Sequence, residues 1–307
     1  MRIIFTGSGE FGIPTLAALL EAGHEIFPYT QPDRPAGRGR KLTPTPIAQF
    51  AGTRNLTAIR TADFNAEKLP DADLMVVIAF GQKISPAAVG HAKLGAVNLH
   101  ASLLPKYRGA APINWAILRG ESETGNSVIR LAQKMDAGAV LGQSRLAIGE
   151  VETAGELHDR LAIDGAGLVM KVVEQLRVGS VREIAQDESA ATVAPKLARE
   201  SAHIDWSDSG AKIARKICGL YPWPGCRVQL CDATGMQVGA MTLARARAAD
   251  SEGPRWHPGE IAIDGCIACG EGAVEILEVQ PDGKKLMSLN DFRRGNAWMP
   301  GMRLKSV

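Results

Sequence analysis

The sequence predicts two domains of different class: a doubly wound α/β domain, followed by a small β-barrel. Over the first 180 residues, short β-branched runs alternate with helical patterns, which is typical of a parallel sheet covered by helices. Over about the last 80 residues, five short apolar runs are separated by Gly and Asp turns, which is typical of a small barrel. The length of 307 residues also favours two domains over one.

The elements of the α/β domain follow one another from the N-terminus. A first strand is predicted at 2–6, and an amphipathic helix follows it at 13–22. Residues 74–79 are apolar throughout, which indicates a central strand covered on both faces. Thr153 and Glu156 have the spacing of a capping box, and a long helix is predicted from there. The remaining elements are strands at 25–29, 96–100, 127–131 and 140–146 and a helix at 113–119.

The second domain is predicted to begin after a polar stretch without clear periodicity at 180–206. We place the catalytic domain at 1–189, a linker at 190–206 and the C-terminal domain at 207–307. A helix is predicted at 209–219, with Gly219 as its C-terminal stop. The barrel strands are predicted at 227–231, 237–244, 260–263, 273–279 and 285–288.

Composition excludes several classes of protein. A chain with 45% hydrophobic and 22% charged residues is neither disordered nor collagen-like, and a net charge of +2 does not by itself indicate a nucleic-acid partner. The N-terminus begins with a strand-like run, and no apolar stretch has the roughly 18 residues of a membrane span. Five cysteines, an odd number, favour reduced thiols, and Cys266 and Cys269 lack the second pair that a structural zinc requires. We therefore expect a cytoplasmic protein without a metal.

Gly7-x-Gly9-x-x-Gly12 lies between the first strand and the first helix. This pattern is typical of a dinucleotide site, although any tight strand-to-helix turn also favours glycine. Asp33, the candidate for the ribose, lies inside a loop rich in Pro, Arg and Gly rather than at a strand end. A nicotinamide-dependent oxidoreductase therefore remains an alternative, which a titration with NADH would test.

Asn98 and His100 end a predicted strand and project to the same face, past the edge where the ligands of open α/β sheets bind. An amide can stabilise an oxyanion and an imidazole can move protons, so the pair suits acyl transfer. Asp136 lies in a turn between two strands, and if it reaches His100 it would orient the ring and stabilise its cation. The apolar stretch at 101–112, pinned by Pro and Gly, fits a pocket for a flat heterocycle.

Taken together, Asn98-x-His100, the loop at 102–105 with Arg108-Gly109, and Asp136 resemble the 10-formyltetrahydrofolate-dependent formyltransferases. The resemblance implies a Rossmann-like formyltransferase domain and an OB-like barrel, with 10-formyltetrahydrofolate as donor substrate and no metal. It further implies that Asn98, His100 and Asp136 are the catalytic residues. The folate-binding residues that it implies are Ser102, Leu103, Leu104 and Pro105.

Further stretches resemble the branch of this family that formylates methionyl initiator tRNA for translation initiation. They are residues 30–41, 204–206, 221–225, 283–285 and 291–295. Between Asp33 and Lys41 four cations face one acid, and arginines flanked by glycine hold neither helix nor strand well, so we expect a mobile, exposed loop. The expected tRNA-binding residues are Arg34, Arg38, Arg40 and Lys41 in this loop and Lys284, Lys285, Arg293 and Arg294 in the barrel, with Arg245 and Arg247 beside them. We expect a monomer.

Two more functions would fit part of the sequence. A formyltransferase that acts on a small amine, such as a purine precursor or an amino sugar, would share the catalytic residues but would need neither the basic loop nor the barrel. A non-catalytic RNA-binding module would not need Asn98, His100 and Asp136.

Overall fold

The computed structural model describes residues 1–36, 39–250 and 256–307. The chain forms two compact units. The first unit comprises Met1–Gly109, Thr124–Leu146 and His158–Val193, and the second comprises Ala110–Glu123, Ala147–Leu157 and Ala194–Val307. The division predicted from the sequence (1–189, 190–206 and 207–307) uses contiguous stretches only, and it stays a proposal.

Short strands and helices alternate along the first part of the chain, up to Arg177. They are β1 (Arg2–Gly7), α1 (Ile13–Glu21), β2 (Glu25–Thr30), β3 (Arg34–Ala36), β4 (Lys41–Thr43), α2 (Pro46–Thr53), β5 (Ile59–Arg60), β6 (Leu74–Ile78), α3 (Pro86–Val89), β7 (Ala96–His100), β8 (Arg108–Gly109), α4 (Pro112–Leu118), β9 (Glu123–Arg130), β10 (Val140–Ala147) and α5 (Ala154–Arg177). The rest are β11 (Val193–Ala194), α6 (Gly210–Leu220), β12 (Cys226–Cys231), β13 (Gln237–Ala249), β14 (Ile267–Ala268), β15 (Ala273–Pro281), β16 (Met287–Ser288), α7 (Leu289–Arg293) and β17 (Arg303–Ser306).

The first unit is built on a seven-stranded sheet in the order β10, β9, β7, β6, β1, β2, β5. β1 runs parallel to β2 and β6, and β6 runs parallel to β7, whereas β9 is antiparallel to β7. All five residues of β6 are buried, which explains why its apolar run shows no alternation. The strand order extends in both directions from β1, so the predicted doubly wound α/β fold is confirmed. The carboxyl ends of β1, β2, β6 and β7 meet at one edge, where ligands of such sheets bind.

The second unit contains an antiparallel sheet in the order β14, β15, β13, β12, β17, with β16 on β15. Residue pairs Glu260–Arg303 and Ile261–Ile267 form isolated bridges that connect β17 to β14. The sheet therefore nearly closes on itself, and the predicted small barrel is confirmed. The strand predicted at 260–263 is reduced to these two bridges, because each of its paired residues contacts a different strand.

The role predicted for Gly219 is wrong. α6 continues to Leu220, and Gly219 lies buried inside the helix instead of ending it. A Cβ atom at Gly219 would lie 3.2 Å from the side chain of Ile117 and 3.3 Å from that of Leu118. The glycine therefore allows close packing of α6 on α4. Among the described residues, no helix is both long enough and apolar enough to span a membrane.

The predicted capping box at the start of α5 is confirmed and is part of a larger ionic cluster. The Thr153 N–H donates to Glu156 Oε2 at 3.0 Å, and the Glu156 N–H donates to Thr153 Oγ1 at 3.3 Å. The Arg245 guanidinium donates to both Glu156 oxygens, at 3.0 and 2.7 Å, and to Glu278 Oε2 at 2.8 Å. Hydrogen bonds from Arg245 and then from Thr153 lower the pKa of Glu156 from 4.5 to about 2, against the opposing effect of burial.

This cluster predicts a loss of stability in acid. A carboxylate with a lowered pKa in the folded state stabilises the protein above its unfolded pKa and loses that effect as the pH falls toward about 2. The Glu156 side chain is 49% exposed, so screening reduces the contribution to about 1 kcal/mol. Urea unfolding between pH 5 and pH 2.5 should show that Glu156→Gln reduces the acid-dependent fall in unfolding free energy by about this amount. Glu271→Gln, at an exposed position without an ion pair among the described residues, is the control, and an equal reduction there would contradict the assignment.

Candidate active site

Asn98 and His100 lie on β7, two residues apart, and therefore face the same side of the sheet. β7 lies between β6 and β9, and His100 is its last residue, so the pair stands at the carboxyl edge. Asn98 is half-buried, and within the described part of the chain its carboxamide makes no hydrogen bond. The amide is therefore free to donate to a bound reactant.

The His100 ring is fixed by its backbone surroundings. Its Nε2 lies 2.8 Å from the Tyr107 carbonyl oxygen, and because a carbonyl can only accept, Nε2 carries a hydrogen that it donates. Nδ1 is the nitrogen left to exchange a proton, and it lies 3.7 Å from Asp136 Oδ2. The side chain of His100 is 7% exposed and that of Asp136 is 15% exposed. The ring can therefore act as an acid and base in a site largely shielded from water.

Asp136 reaches His100 from the turn between β9 and β10. Its backbone is left-handed, with φ of 52°, which is sparsely populated by residues other than glycine. Its Oδ2 accepts a hydrogen bond from the Gly109 N–H at 2.8 Å. The 3.7 Å separation from His100 Nδ1 is longer than a hydrogen bond but short enough for the carboxylate to stabilise an imidazolium. The structure thus brings these two residues together, and their catalytic role stays a proposal.

The loop at 102–105 is held rigidly against the sheet. Ser102 is fully buried and donates to the Lys106 carbonyl at 2.6 Å. Ser127 Oγ donates to the Ser102 carbonyl at 2.6 Å and accepts from the Leu104 N–H at 3.0 Å. The Leu104 side chain packs in a small core cluster with Ile129 and Val140. Leu103 and Pro105 are half-buried, so these two retain side-chain surface for a ligand, whereas Ser102 and Leu104 shape the loop.

Leu104 therefore contributes to the stability of the core. A substitution at this position would disturb core packing together with any effect on folate binding, so it does not test folate binding cleanly. Leu104→Ala should lower the free energy of unfolding by about 2–4 kcal/mol, because it leaves a cavity against Ile129 and Val140. Leu103→Ala is the matched control, with a smaller loss because its side chain is only half-buried. Denaturant unfolding of both variants measures the difference, and equal losses would contradict the assignment of Leu104 to the core.

Sequence reasoning missed the residues that follow β6. Ala79 and Gly81 both have positive φ, of 46° and 78°. Gln31 Nε2 donates to the Phe80 carbonyl at 2.8 Å, and a Cβ atom at Gly81 would lie 2.5 Å from that nitrogen. The sequence signal that could have pointed to these residues is Gly81, a glycine that closely follows a fully apolar strand. These residues line the carboxyl edge next to β7.

The glycine turn after β1 has a structural explanation. A Cβ atom at Gly7 would lie 2.9 Å from the Ile78 carbonyl oxygen, and one at Gly12 would lie 3.2 Å from the Phe5 ring. Asp33 forms an ion pair with Arg60 at 2.6 Å. These contacts support the interpretation as a tight strand-to-helix turn.

The basic segment forms a β-hairpin, so the prediction that it holds no strand is wrong. β3 and β4 pair antiparallel, with Ala36 opposite Lys41, and Gly39 and Arg40 take positive φ of 96° and 49° in the turn. Two short strands can pair through their backbones without an apolar face. Arg34, Arg40 and Lys41 are exposed, and the Arg34 guanidinium donates to Gln31 Oε1. Arg38 lies outside the described residues, and the mobility of the segment stays a prediction.

The barrel cations fall into two groups. Arg245 is paired with Glu156 and Glu278, and Arg247 is paired with Glu275 at 2.6 Å, so both guanidiniums are engaged within the unit. The four cations predicted to bind tRNA are exposed, although one of them forms an ion pair with Asp291 at 2.9 Å. They are Lys284, Lys285, Arg293 and Arg294, the last being the paired one.

The two thiols of the Cys266-x-x-Cys269 pattern in the barrel have raised pKa values. Burial raises the pKa of Cys266 to about 11 and that of Cys269 to about 12. Over the ranges 1–36, 39–250 and 256–307, no group of three or more His, Cys, Asp or Glu side chains is arranged to hold a metal ion.

Comparison with known proteins identifies related sequences over nearly the whole chain. Residues 1–173 match the formyl transferase family, and residues 196–297 match the formyl transferase C-terminal domain. The methionyl-tRNA formyltransferase of Methylococcus capsulatus is 40% identical over 317 residues, which cover 99% of each chain. That of Gluconobacter oxydans is 40% identical over 312 residues, which cover 99% of this chain and 100% of the relative.

Solved structures share the fold at lower identity. The sugar 3N-formyl transferase WlaRD, solved with dTDP and 5-N-formyl-THF, superposes with a TM-score of 0.65 at 17% identity, over 93% of this chain and 99% of that one. An N-formyltransferase from Helicobacter canadensis, in complex with folinic acid and dTDP-3-aminofucose, has a TM-score of 0.66 at 14% identity, over 92% and 99%. At these identities the likeness establishes a common fold.

Proposed function

The chain belongs to the formyl transferase family, and we propose that it transfers the formyl group of 10-formyltetrahydrofolate to the α-amino group of methionyl initiator tRNA. The observation that carries this proposal is the pairing of His100 with Asp136 beside the free carboxamide of Asn98. Asn98 and His100 stand at the carboxyl edge of the sheet, where ligands of such folds bind, and Asp136 reaches His100 from the turn between β9 and β10.

The geometry supports a direct transfer between two bound substrates. The neutral amine attacks the formyl carbon, a C–N bond forms, and the formyl oxygen becomes an oxyanion that the Asn98 amide stabilises. His100 Nδ1 takes the proton that the amine loses, and the nearby Asp136 carboxylate stabilises the resulting imidazolium. The bond to N10 of the folate then breaks, and His100 returns the proton to that nitrogen. One C–N bond is formed and one is broken, the proton lost by the amine ends on N10, and no net proton is taken up.

Leu103 and Pro105 are the loop side chains that we propose to contact the folate, since both are half-buried and the loop follows His100 directly in the chain. Holding donor and acceptor in reactive orientation would supply several kcal/mol of the barrier reduction, by the effect of proximity. We further propose that the chain acts in the cytoplasm as a monomer, where its product would serve translation initiation.

The choice of tRNA over a small amine rests on the relatives and on the basic surfaces. The sugar formyltransferases share the fold at 14–17% identity, whereas two methionyl-tRNA formyltransferases are 40% identical over almost the full length. The exposed cations of the β3–β4 hairpin and of the barrel suit a phosphate backbone, because arginine and lysine neutralise phosphates.

The test is a formylation assay. The purified protein is incubated with labelled 10-formyltetrahydrofolate and methionyl initiator tRNA, and we expect label in formylmethionine esterified to the tRNA. Uncharged tRNA serves as the control and should remain unlabelled. Preferred transfer to an amino sugar nucleotide or a purine precursor would favour the small-amine alternative, and binding of NADH without formyl transfer would favour an oxidoreductase.

A further inference from the structure

The catalytic pair is held by a second layer of residues that the proposed mechanism does not use. The segment at 107–109 contacts both members of the pair, since the Tyr107 carbonyl binds the His100 ring and the Gly109 N–H binds Asp136. This segment is itself anchored on Thr192, whose hydroxyl accepts from the Tyr107 N–H at 2.9 Å and whose carbonyl accepts from the Arg108 N–H at 2.9 Å. The catalytic geometry therefore depends on residues near 186–192.

Both polar atoms of the Gln186 side-chain amide form hydrogen bonds within this second layer. Its Nε2 donates to the carbonyl oxygens of Asp136 at 2.7 Å and Gly138 at 2.8 Å. Its Oε1 accepts from Arg108 Nε at 3.1 Å and Nη2 at 2.7 Å. Both donors and the acceptor are satisfied, so the amide has one fixed orientation.

Arg108 fixes Gln186 in turn. Its side chain is 8% exposed, and its Nη1 and Nη2 form a two-pronged ion pair with Glu188, at 3.1 and 2.7 Å. Arg108 and Lys134 lower the pKa of Glu188 to about 2, so this partner stays charged at neutral pH. A planar guanidinium held between a carboxylate and an amide has little freedom to rotate.

The Asp136 turn is stabilised by such support. Asp adopts a left-handed backbone more readily than most residues other than glycine, but the conformation is still sparsely populated and contacts around it favour it. Two hydrogen bonds from Gln186, to the carbonyls of Asp136 and Gly138, hold the turn from behind. The Asp136 Oδ2 atom then accepts from the Gly109 N–H and lies 3.7 Å from His100 Nδ1.

We propose that Gln186, fixed by Arg108, is a positioning residue that sets the Asp136 carboxylate against His100 during formyl transfer. It hydrogen-bonds the backbone of the Asp136 turn and the Arg108 side chain, and we assign its effect on the reaction to the position of Asp136. The proposal rests on the proposed function, because it assigns the His100–Asp136 pair to that reaction.

Two variants of Gln186 test this role. Gln186→Leu removes the donors and the acceptor, whereas Gln186→Glu keeps an acceptor for Arg108 and removes only the donors to the turn. Both should lower kcat for formylation by about tenfold or more and leave KM for Met-tRNA and for folate within about twofold, because misplacement of a catalytic group affects the reaction step. Glu183→Gln is the control and should keep wild-type kcat, because Glu183 lies close in sequence to Gln186 and, among the described residues, is paired with Arg130 alone.

A double-mutant cycle separates positioning from general stability. Gln186→Leu should cost less than about twofold in kcat when it is added to Asp136→Asn, because the group through which it acts is already lost. The Asn side chain is chosen because it tolerates the left-handed backbone. A further tenfold loss in the double variant, wild-type kcat in both single variants, or a rise in KM with unchanged kcat would overturn the positioning role. If the wild-type protein does not formylate Met-tRNA, the proposed function fails together with it, whereas an active wild type with unaffected Gln186 variants overturns the positioning role only.

Discussion

His100→Ala is expected to lower kcat for formylation of Met-tRNA by about 10²-fold or more, the scale on which a general acid and base acts. The structure leaves His100 Nδ1 as the nitrogen that can take the proton from the attacking amine, because Nε2 is bound to the Tyr107 carbonyl. Single-turnover formylation with saturating folate and Met-tRNA measures the transfer step directly.

The controls for this prediction distinguish chemistry from folding. His91→Ala, at an exposed histidine whose ring nitrogen Nε2 lies 2.9 Å from the Pro70 carbonyl oxygen, should keep the wild-type rate. Thermal unfolding should show that His100→Ala remains folded, although its ring is buried and hydrogen-bonded. Asn98→Ala should lose about as much activity, since removal of an oxyanion donor costs about 10²-fold. A near-wild-type rate in the His100 variant would contradict the mechanism.

Much of the fold could be predicted because burial leaves a local pattern. The all-apolar strand at β6 and the Thr153–Glu156 capping box are both confirmed, since one reflects covering on two faces and the other reflects contacts within one turn of helix. The β3–β4 hairpin was missed because its short strands have little buried surface, so no alternation marks them.

In the candidate site, too, only the residues that share a local pattern could be predicted from the sequence. Asn98 and His100 could be placed together because a strand fixes which residues share a face. Gln186 could not be found in this way, because it binds Asp136 across 50 residues of sequence and lies in a segment without periodicity. The core position of Leu104 was missed for a related reason, since its neighbours Ile129 and Val140 come from other strands.

Replacing Arg38 and Arg40 together by alanine is expected to lower kcat/KM for Met-tRNA by about 10- to 100-fold, by loss of contacts to phosphates or to an unpaired base. Arg40 lies in the turn of the β3–β4 hairpin, which follows β2, and the carboxyl end of β2 lies at the same sheet edge as His100. The proposed reaction brings the aminoacyl end of the tRNA to this edge. Asp33 is already neutralised by Arg60, which leaves the exposed cations Arg40 and Lys41 without an acidic partner among the described residues.

A matched double variant removes the same charge elsewhere. Lys68 and Lys171 are exposed cations of the same unit, and replacing both by alanine should leave kcat/KM within about twofold, because a change in net charge alone has a small effect at physiological salt. The KM for folate should also stay within about twofold in the hairpin variant, since Leu103 and Pro105, which we propose to contact the folate, are unchanged. In the Arg38 and Arg40 double variant, the salt dependence of kcat/KM should become less steep because fewer counterions are released when the tRNA binds. Replacing Lys284 and Lys285 in the barrel by alanine should change the salt dependence less. Unchanged kinetics with Met-tRNA in the Arg38 and Arg40 variant would mean that the hairpin does not bind the tRNA, and a small amine would then become the better candidate for the acceptor.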